Sequence, residues 1–300
     1  MKLIPSMRIY YVLIFCVSSK VQGYSICVTG ASGYLGSEIV LQLLEQGQTV
    51  HAICRSSPDH LKQWESIYGN KLKLFPNIDL SSECIEKLSG LMLGCECAIH
   101  TAAPFPVSCA GVDVASPTLA SMKNILVACK RAGVHRAAIT SSIAACRGPR
   151  DIPRSGGVFD EEDWNLSSRP DGPGMEPYQR AKADAELAAR AFAASEGLEV
   201  VSLLPTCLLG PMRGGPESCS GATSVRMLRA WLGIAGNDVG DGGRGARVQS
   251  RLVCDVRDAA AAHIFAAAQL DSDVIGRSRF RSPPRTTFRT LVTRQVMSAS

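Results

Sequence analysis

The stretch Tyr24-Ser25-Ile26-Cys27-Val28-Thr29-Gly30-Ala31-Ser32-Gly33-Tyr34-Leu35-Gly36 decides how the rest of the chain is read. Residues 24–29 form a short β-like run. Gly30-x-x-Gly33-x-x-Gly36 follows. Residues 37–45 then carry apolar side chains at 39, 40, 43 and 44, the spacing of one helix face. Gly47 stops that helix, and 49–54 (TVHAIC) reads as a second strand. Strand, glycine turn, helix and strand within about 30 residues make one βαβ unit. Gly30 permits the tight turn, Gly33 lets the backbone approach a pyrophosphate, and Gly36 lets helix and strand pack closely. The phosphates would rest on amides at a positive helix N-terminus, with Ser32, Tyr34 and Leu35 beside them. Glycine spacing alone is weak evidence. It gains force here because the strand before it and the helix after it are both present.

The pattern repeats along the chain. Strands are expected at 71–75, 97–100, 136–141 and 198–204, with helices at 81–88, 116–132 and 176–195. Alternation at this pitch predicts an α/β fold, a Rossmann-type doubly wound parallel sheet with helices on both faces. After Pro205 the texture changes. Two Gly-rich stretches, 211–221 and 233–245, flank a helix-like segment at 223–232, which reads as loops and a lid-like helix rather than a sheet layer. A strand-like 252–256 and an Ala-rich helix at 257–270 come next. From Gly276 onward there are six Arg, no acidic residue and only weak periodicity. The expected division is a signal-like leader over 1–23, a nucleotide-binding domain over 24–205 to which 252–270 returns, and a small substrate-binding cap over 206–300.

Composition agrees with a globular chain. Three hundred residues with 46% hydrophobic content and a net charge of only +5 exclude disorder. The pI near 8.6 suits anionic ligands without the concentrated basic stripe of a nucleic-acid binder, so no nucleic-acid partner is expected. The twelve cysteines include no Cys-x-x-Cys pair and form no zinc-type pattern with histidine. Cys27, Cys54, Cys207 and Cys254 lie in apolar runs, and the set reads as reduced filler. At the N-terminus, Lys2 and Arg8 precede an apolar run over 9–17 and a polar stretch ending at Gly23. These are the parts of a signal peptide, implying entry to the secretory pathway; without it the chain would be cytoplasmic. The run is too short to span a bilayer, and no other segment is long and apolar enough.

Chemistry is concentrated at three places. The end of the second strand carries Arg55, where an acidic residue would bind the ribose 2′-hydroxyl of NAD. A guanidinium pairs with a 2′-phosphate and a carboxylate repels it, so NADP(H) is favoured over NAD(H). After the third strand, Asp79 and the adjacent Leu80 are positioned for the adenine. The third place is Tyr178-Gln179-Arg180-Ala181-Lys182, which sets a phenol and an ammonium on one helix face. A phenol with a pKa near 10 needs about 4 kcal/mol of help to move three units toward neutrality, and a nearby ammonium, aided by a positive nicotinamide, favours the phenolate. Ser141 and Ser142 close the strand before that helix.

Taken together, TGASGYLG at 29–36, TSS at 140–142, YQRAK at 178–182, LLPTCLLGP at 203–211 and VCDVRDAAAAH at 253–263 resemble the extended short-chain dehydrogenase/reductases of the NAD(P)-dependent epimerase/dehydratase superfamily. Val50-x-Ala52-x-x-Arg55 and the FDEEDWN run at 159–165 further resemble the dihydroflavonol 4-reductase-like group. The resemblance implies a division of labour. Ser142, or Ser141 by register, would hydrogen-bond a substrate carbonyl. Tyr178 would donate the proton, and Lys182 would hold the nicotinamide ribose and lower the Tyr pKa. Thr101, Ala102 and Ala103 would pass the cofactor, and Pro205 would line its nicotinamide side. The implied activity is NADPH-dependent reduction of a small ketone or aldehyde to an alcohol. Other activities of the superfamily are a 3β-hydroxysteroid dehydrogenase, a sugar-nucleotide epimerase/dehydratase, or NADP binding without catalysis. The cinnamoyl-CoA reductase signature is absent, since Met175-Glu176-Pro177 precedes the Tyr. The resemblance also implies a longer C-terminal region, so the cap is expected to be incomplete. Trp164 and Trp231 are candidates for substrate contact or packing, and His263 reads as structural.

Overall fold

The structure is a computed structural model that describes residues 23–56, 58–105, 111–154, 157, 159–213, 223–231, 252–268 and 287–292. The first unit is β1 (Ser25–Thr29), α1 (Tyr34–Glu45) and β2 (Thr49–Ile53). Then come α2 (Asp59–Tyr68), β3 (Leu72–Phe75), α3 (Ile85–Met92) and β4 (Cys97–His100). The second half runs α4 (Ala115–Ala132), β5 (Arg136–Thr140), α5 (Glu176–Glu196) and β6 (Glu199–Pro205). Beyond it lie β7 (Cys207–Leu209), α6 (Thr223–Trp231), β8 (Val253–Asp255), α7 (Val256–Ala268) and β9 (Thr287–Val292).

Seven strands form one parallel sheet in the order β3-β2-β1-β4-β5-β6-β9. The chain starts in the middle, runs out to β3, then crosses back to β4. The strand order therefore reverses between β1 and β4, and a crevice opens at the C-terminal ends of those two strands. Each strand feeds both faces of the sheet, because successive side chains point opposite ways. Ile26, Val28, Val50, Ala52, Ile99 and Ala138 pack under α1, α2 and α7, while Cys27, Ile53, Ala98, Ala137 and Ile139 pack under α3, α4 and α5. Two buried faces explain why the strands read as nearly unbroken apolar runs.

Four details differ from the sequence expectations. Helix α2 falls in a segment left unassigned, since only His60 and Leu61 of its ten residues are buried. Helix α3 begins at Ile85, not 81, because Asp79 accepts from both the amide and the hydroxyl of Ser81 and turns the chain first. The stretch after Pro205 is not all loop and helix, since β7 pairs in parallel with β8 to form a second, two-stranded sheet. In the segment whose periodicity was too weak to place, Thr287–Val292 joins the main sheet as β9 beside β6. The leader, apart from Gly23, lies outside the described residues, as does most of both Gly-rich stretches. All nine described cysteines are free thiols and seven are buried, where burial pushes thiols such as Cys27, Cys95, Cys97 and Cys129 above their ordinary range. No described helix is long and apolar enough to cross a membrane.

Candidate active site

The glycine turn closes on itself by contact. Gly30 has φ +71°, and a Cβ there would meet Thr101 Oγ1 at 2.7 Å and the Ala102 amide at 2.8 Å. A Cβ on Gly36 would lie 2.1 Å from the Gly30 carbonyl oxygen. These two glycines thus let β1, α1 and the end of β4 converge. Gly33 is exposed and caps α1, whose first turn contains no acidic residue. The first-turn amides from Tyr34, Leu35 and Gly36 point out of that helix end, as a pyrophosphate requires. Ser32 is half-buried in the same turn and Leu35 is buried beneath it. Tyr34 donates its hydroxyl to the Gly210 carbonyl at 2.7 Å, tying α1 to the segment after β7.

The walls of the crevice come from the neighbouring strand ends. Thr101 donates its hydroxyl to the Thr29 carbonyl at 2.8 Å, and His100 Nδ1 lies 2.7 Å from Thr29 Oγ1. These bonds hold Ala102 and Ala103 beside the glycine turn. Arg55 is exposed just past β2, and Asp79 is exposed past β3. The hydroxyl and amide of Ser81, with the Arg55 guanidinium nearby, hold the Asp79 carboxyl below its ordinary range. Leu80 is buried, and its carbonyl accepts from Asn124 Nδ2 at 2.8 Å. Glycines that cannot carry a Cβ, outward amides and an exposed Arg55 past β2 together fit a dinucleotide.

The two serines part company. Ser141 is buried and donates its hydroxyl to Glu186 of α5. The next residue is fully extended, φ −163° and ψ 155°, so its side chain turns the other way. Ser142 is half-buried and accepts the Ala144 amide at 3.1 Å, capping the 3-10 turn Ile143–Ala145. That bond uses a lone pair of the oxygen and leaves the hydroxyl proton for another acceptor. Of the two, Ser141 is thus engaged with Glu186, while Ser142 caps the turn beside Tyr178.

Helix α5 opens with Pro177 in its first turn, where a missing amide costs nothing. Its buried face carries Tyr178, Ala181, Lys182, Ala185 and Glu186. Tyr178 packs with Ala144 of the turn that Ser142 caps, and its ring stacks on Phe105 at 4.8 Å between centroids. Lys182 donates to the Thr140 carbonyl at 3.1 Å. Burial lowers the Lys182 pKa to about 8, with Glu186 opposing the drop. The Thr140 hydroxyl lies 2.8 Å from His263 Nε2, and His263 Nδ1 lies 2.7 Å from the Ala259 carbonyl. His263 is thus a buried bracket for the residue that holds Lys182. Trp164 lies under the Arg190 guanidinium, and Pro205 is buried at the end of β6. The side chain of Trp231 lies outside the described residues. Sequence reasoning missed Glu186, Phe105 and His100. Only Glu186 left a signal, four residues beyond Lys182 on the same helix face.

Known proteins are similar to this chain in sequence and in fold. The NAD dependent epimerase/dehydratase family matches residues 26–278. The chain is 32% identical over 201 residues to dihydroflavonol 4-reductase of Arabidopsis thaliana, covering 63% of this chain and 50% of that protein. It is 32% identical over 254 residues to cinnamoyl-CoA reductase 1 of Petunia hybrida, covering 82% and 69%. It spans half to three fifths of the length of the dihydroflavonol 4-reductases it matches. Among solved structures, vestitone reductase from alfalfa is similar with a TM-score of 0.64 and 26% identity, over 90% of this chain and 76% of that one. Yeast methylglyoxal/isovaleraldehyde reductase Gre2, complexed with NADPH, shares the fold with a TM-score of 0.68 at 23% identity, over 90% and 78%. Because the family match runs from β1 past α7 and takes in both the glycine turn and the Tyr-x-x-x-Lys helix, the chain belongs to the NAD dependent epimerase/dehydratase family.

Proposed function

We propose that this protein reduces a ketone or aldehyde to the alcohol at the expense of NADPH. The observation that carries the reading is the placement of Tyr178 and Lys182 one turn apart on α5, against the strand end at Thr140. Bound NADPH supplies a hydride to the carbonyl carbon. Ser142 donates its hydroxyl proton in a hydrogen bond to the carbonyl oxygen and orients it. Tyr178 Oη transfers its proton to that oxygen as the carbon becomes tetrahedral, which leaves a neutral alcohol and a phenolate. Lys182, one turn away, stabilises that phenolate and offers a second N–H to the nicotinamide ribose. With a pKa of about 8 it is mostly charged at neutral pH. Thr140, bracketed by His263, keeps the ammonium in place. Arg55 pairs with the 2′-phosphate, and the turn at Gly30, Gly33 and Gly36 receives the pyrophosphate. The relatives named as dihydroflavonol 4-reductase and cinnamoyl-CoA reductase support a carbonyl substrate, as does a fold neighbour complexed with NADPH.

The test is the absorbance of the reduced nicotinamide across a panel of aldehydes, ketones and dihydroflavonols, with NADH as control. Turnover with NADPH is expected. Tyr178→Phe should lower it at least a hundredfold, in the range of lost general acid catalysis, while NADPH binding persists. Full turnover in Tyr178→Phe, or none in the wild type with any carbonyl, would defeat the reading.

A further inference from the structure

Glu186 stands one helical turn beyond Lys182 and is 1% exposed. One of its carboxylate oxygens accepts the hydroxyl proton of Ser141. A carboxylate so deep is costly unless a cation or several donors face it. Lys182 is also buried, and its ammonium is bonded to the Thr140 carbonyl. Both charged residues line one small cavity together with His100, Thr118, Thr140 and Ser141. The cavity leaves about 10 Å³ for the centre of a water-sized sphere, roughly the room one water needs. It is also bounded by Ala102 and Ala103, at the end of β4 beside the glycine turn. The mechanism proposed above does not use Glu186.

Resting on the reductase reading, we propose that Glu186 is a positioning residue that holds Lys182 in its charged form across this cavity. The groups facing Lys182 are Tyr178 and Glu186 from its own helix, His100 from β4, and Thr140 and Ser141 from the end of β5; His263 of α7 reaches it through the Thr140 hydroxyl. Burial keeps His100 and His263 neutral, and the charge on Lys182 pushes His100 further the same way. Glu186 is therefore the one negative charge among these groups. Its attraction opposes the burial that would otherwise carry Lys182 further below about 8. Ser141, whose hydroxyl is committed to Glu186, acts as its anchor and not as a substrate ligand.

The titration of Lys182 is read directly by NMR of lysines labelled at Cε, with Lys182→Met assigning the signal. Lys182 is expected to titrate near pH 8 in the wild type, at least one unit lower in Glu186→Gln, and close to the wild-type value in Glu186→Asp. The alkaline limb of kcat/KM for carbonyl reduction should move down with it. If the Gln variant fails to fold, Glu186→Met removes the charge and its hydrogen-bonding demand together and carries the same readout. An unchanged Lys182 titration in a folded variant overturns the proposal, as does an activity loss that is the same at every pH. A wild-type protein inactive with every carbonyl overturns the reductase reading instead, and the Lys182 titration then decides the role of Glu186 by itself.

Discussion

Gly36 and Gly33 show how one motif asks different things of its members. A Cβ at Gly36 would sit 2.1 Å from a backbone oxygen that cannot swing aside, whereas one at Gly33 meets that oxygen at 3.1 Å on an exposed surface. Gly36→Ala should cost about 3 kcal/mol or more, at the upper end of overpacking, and should abolish NADPH binding. Gly33→Ala should cost under about 1 kcal/mol and act mainly on cofactor affinity. Urea unfolding with cofactor titration checks both; equal stability losses would contradict this division. Arg55 is a question of charge, not shape. Arg55→Glu should shift the kcat/KM ratio of NADPH to NADH at least tenfold toward NADH, because a carboxylate repels the 2′-phosphate. An unchanged ratio would remove Arg55 from the site. These residues were legible in the sequence because the turn and strand end that carry them are local. Ser141 and Ser142 were not separable in the sequence, since only the packed α5 shows that Ser141 is bonded to Glu186.

Among the elements, α1 is held from two sides. Glu38 is 1% exposed within it and receives Arg213 Nε at 2.6 Å, while Gln42 donates to the same carboxylate at 2.9 Å. Arg213 lies beyond β7, so this pair fastens the segment leaving the second sheet to the helix that follows the glycine turn. Arg213→Met would strand a buried charge. The loss should be about 2 kcal/mol, short of the 3–5 of a wholly enclosed pair because Arg213 is one-third exposed. Chemical denaturation measures it, and adding Glu38→Leu should recover most of the loss. A double variant no more stable than the single would deny that the buried charge is the cause. Nothing in the sequence linked positions 38 and 213. Helix α2 was missed for a related reason: its polar character hides a stripe at Leu61, Trp64 and Tyr68 that makes sense only once the sheet face is there to receive it.

For the whole molecule, two enclosed histidines set the response to acid. Burial takes the His100 pKa to about 3 and the His263 pKa to about 4. Unfolded, both would titrate near 6.5, so below that pH the unfolded chain binds more protons than the folded one. Stability should therefore be full above pH 6.5 and fall as the pH drops toward 4, by about 1.4 kcal/mol per pH unit for each histidine. His51 and His60, whose pKa values burial also lowers, add in the same direction. His263→Gln should flatten the slope between pH 4 and 6 by roughly one histidine's share, as read by thermal melts across that range. A slope that does not change would mean that His263 is not held neutral in the folded protein.

What the sequence determined by itself was the doubly wound sheet, the dinucleotide turn and the Tyr178–Lys182 face. Each rests on residues close along the chain, where period, glycine spacing and helical pitch act directly. The tertiary structure alone decided that Ser141 bonds to Glu186, that His263 brackets the Thr140 that holds Lys182, that Glu38 meets Arg213, and that Thr287–Val292 joins the sheet. Those are contacts between segments far apart in the chain, stabilised by burial and charge that exist only after the sheet has formed.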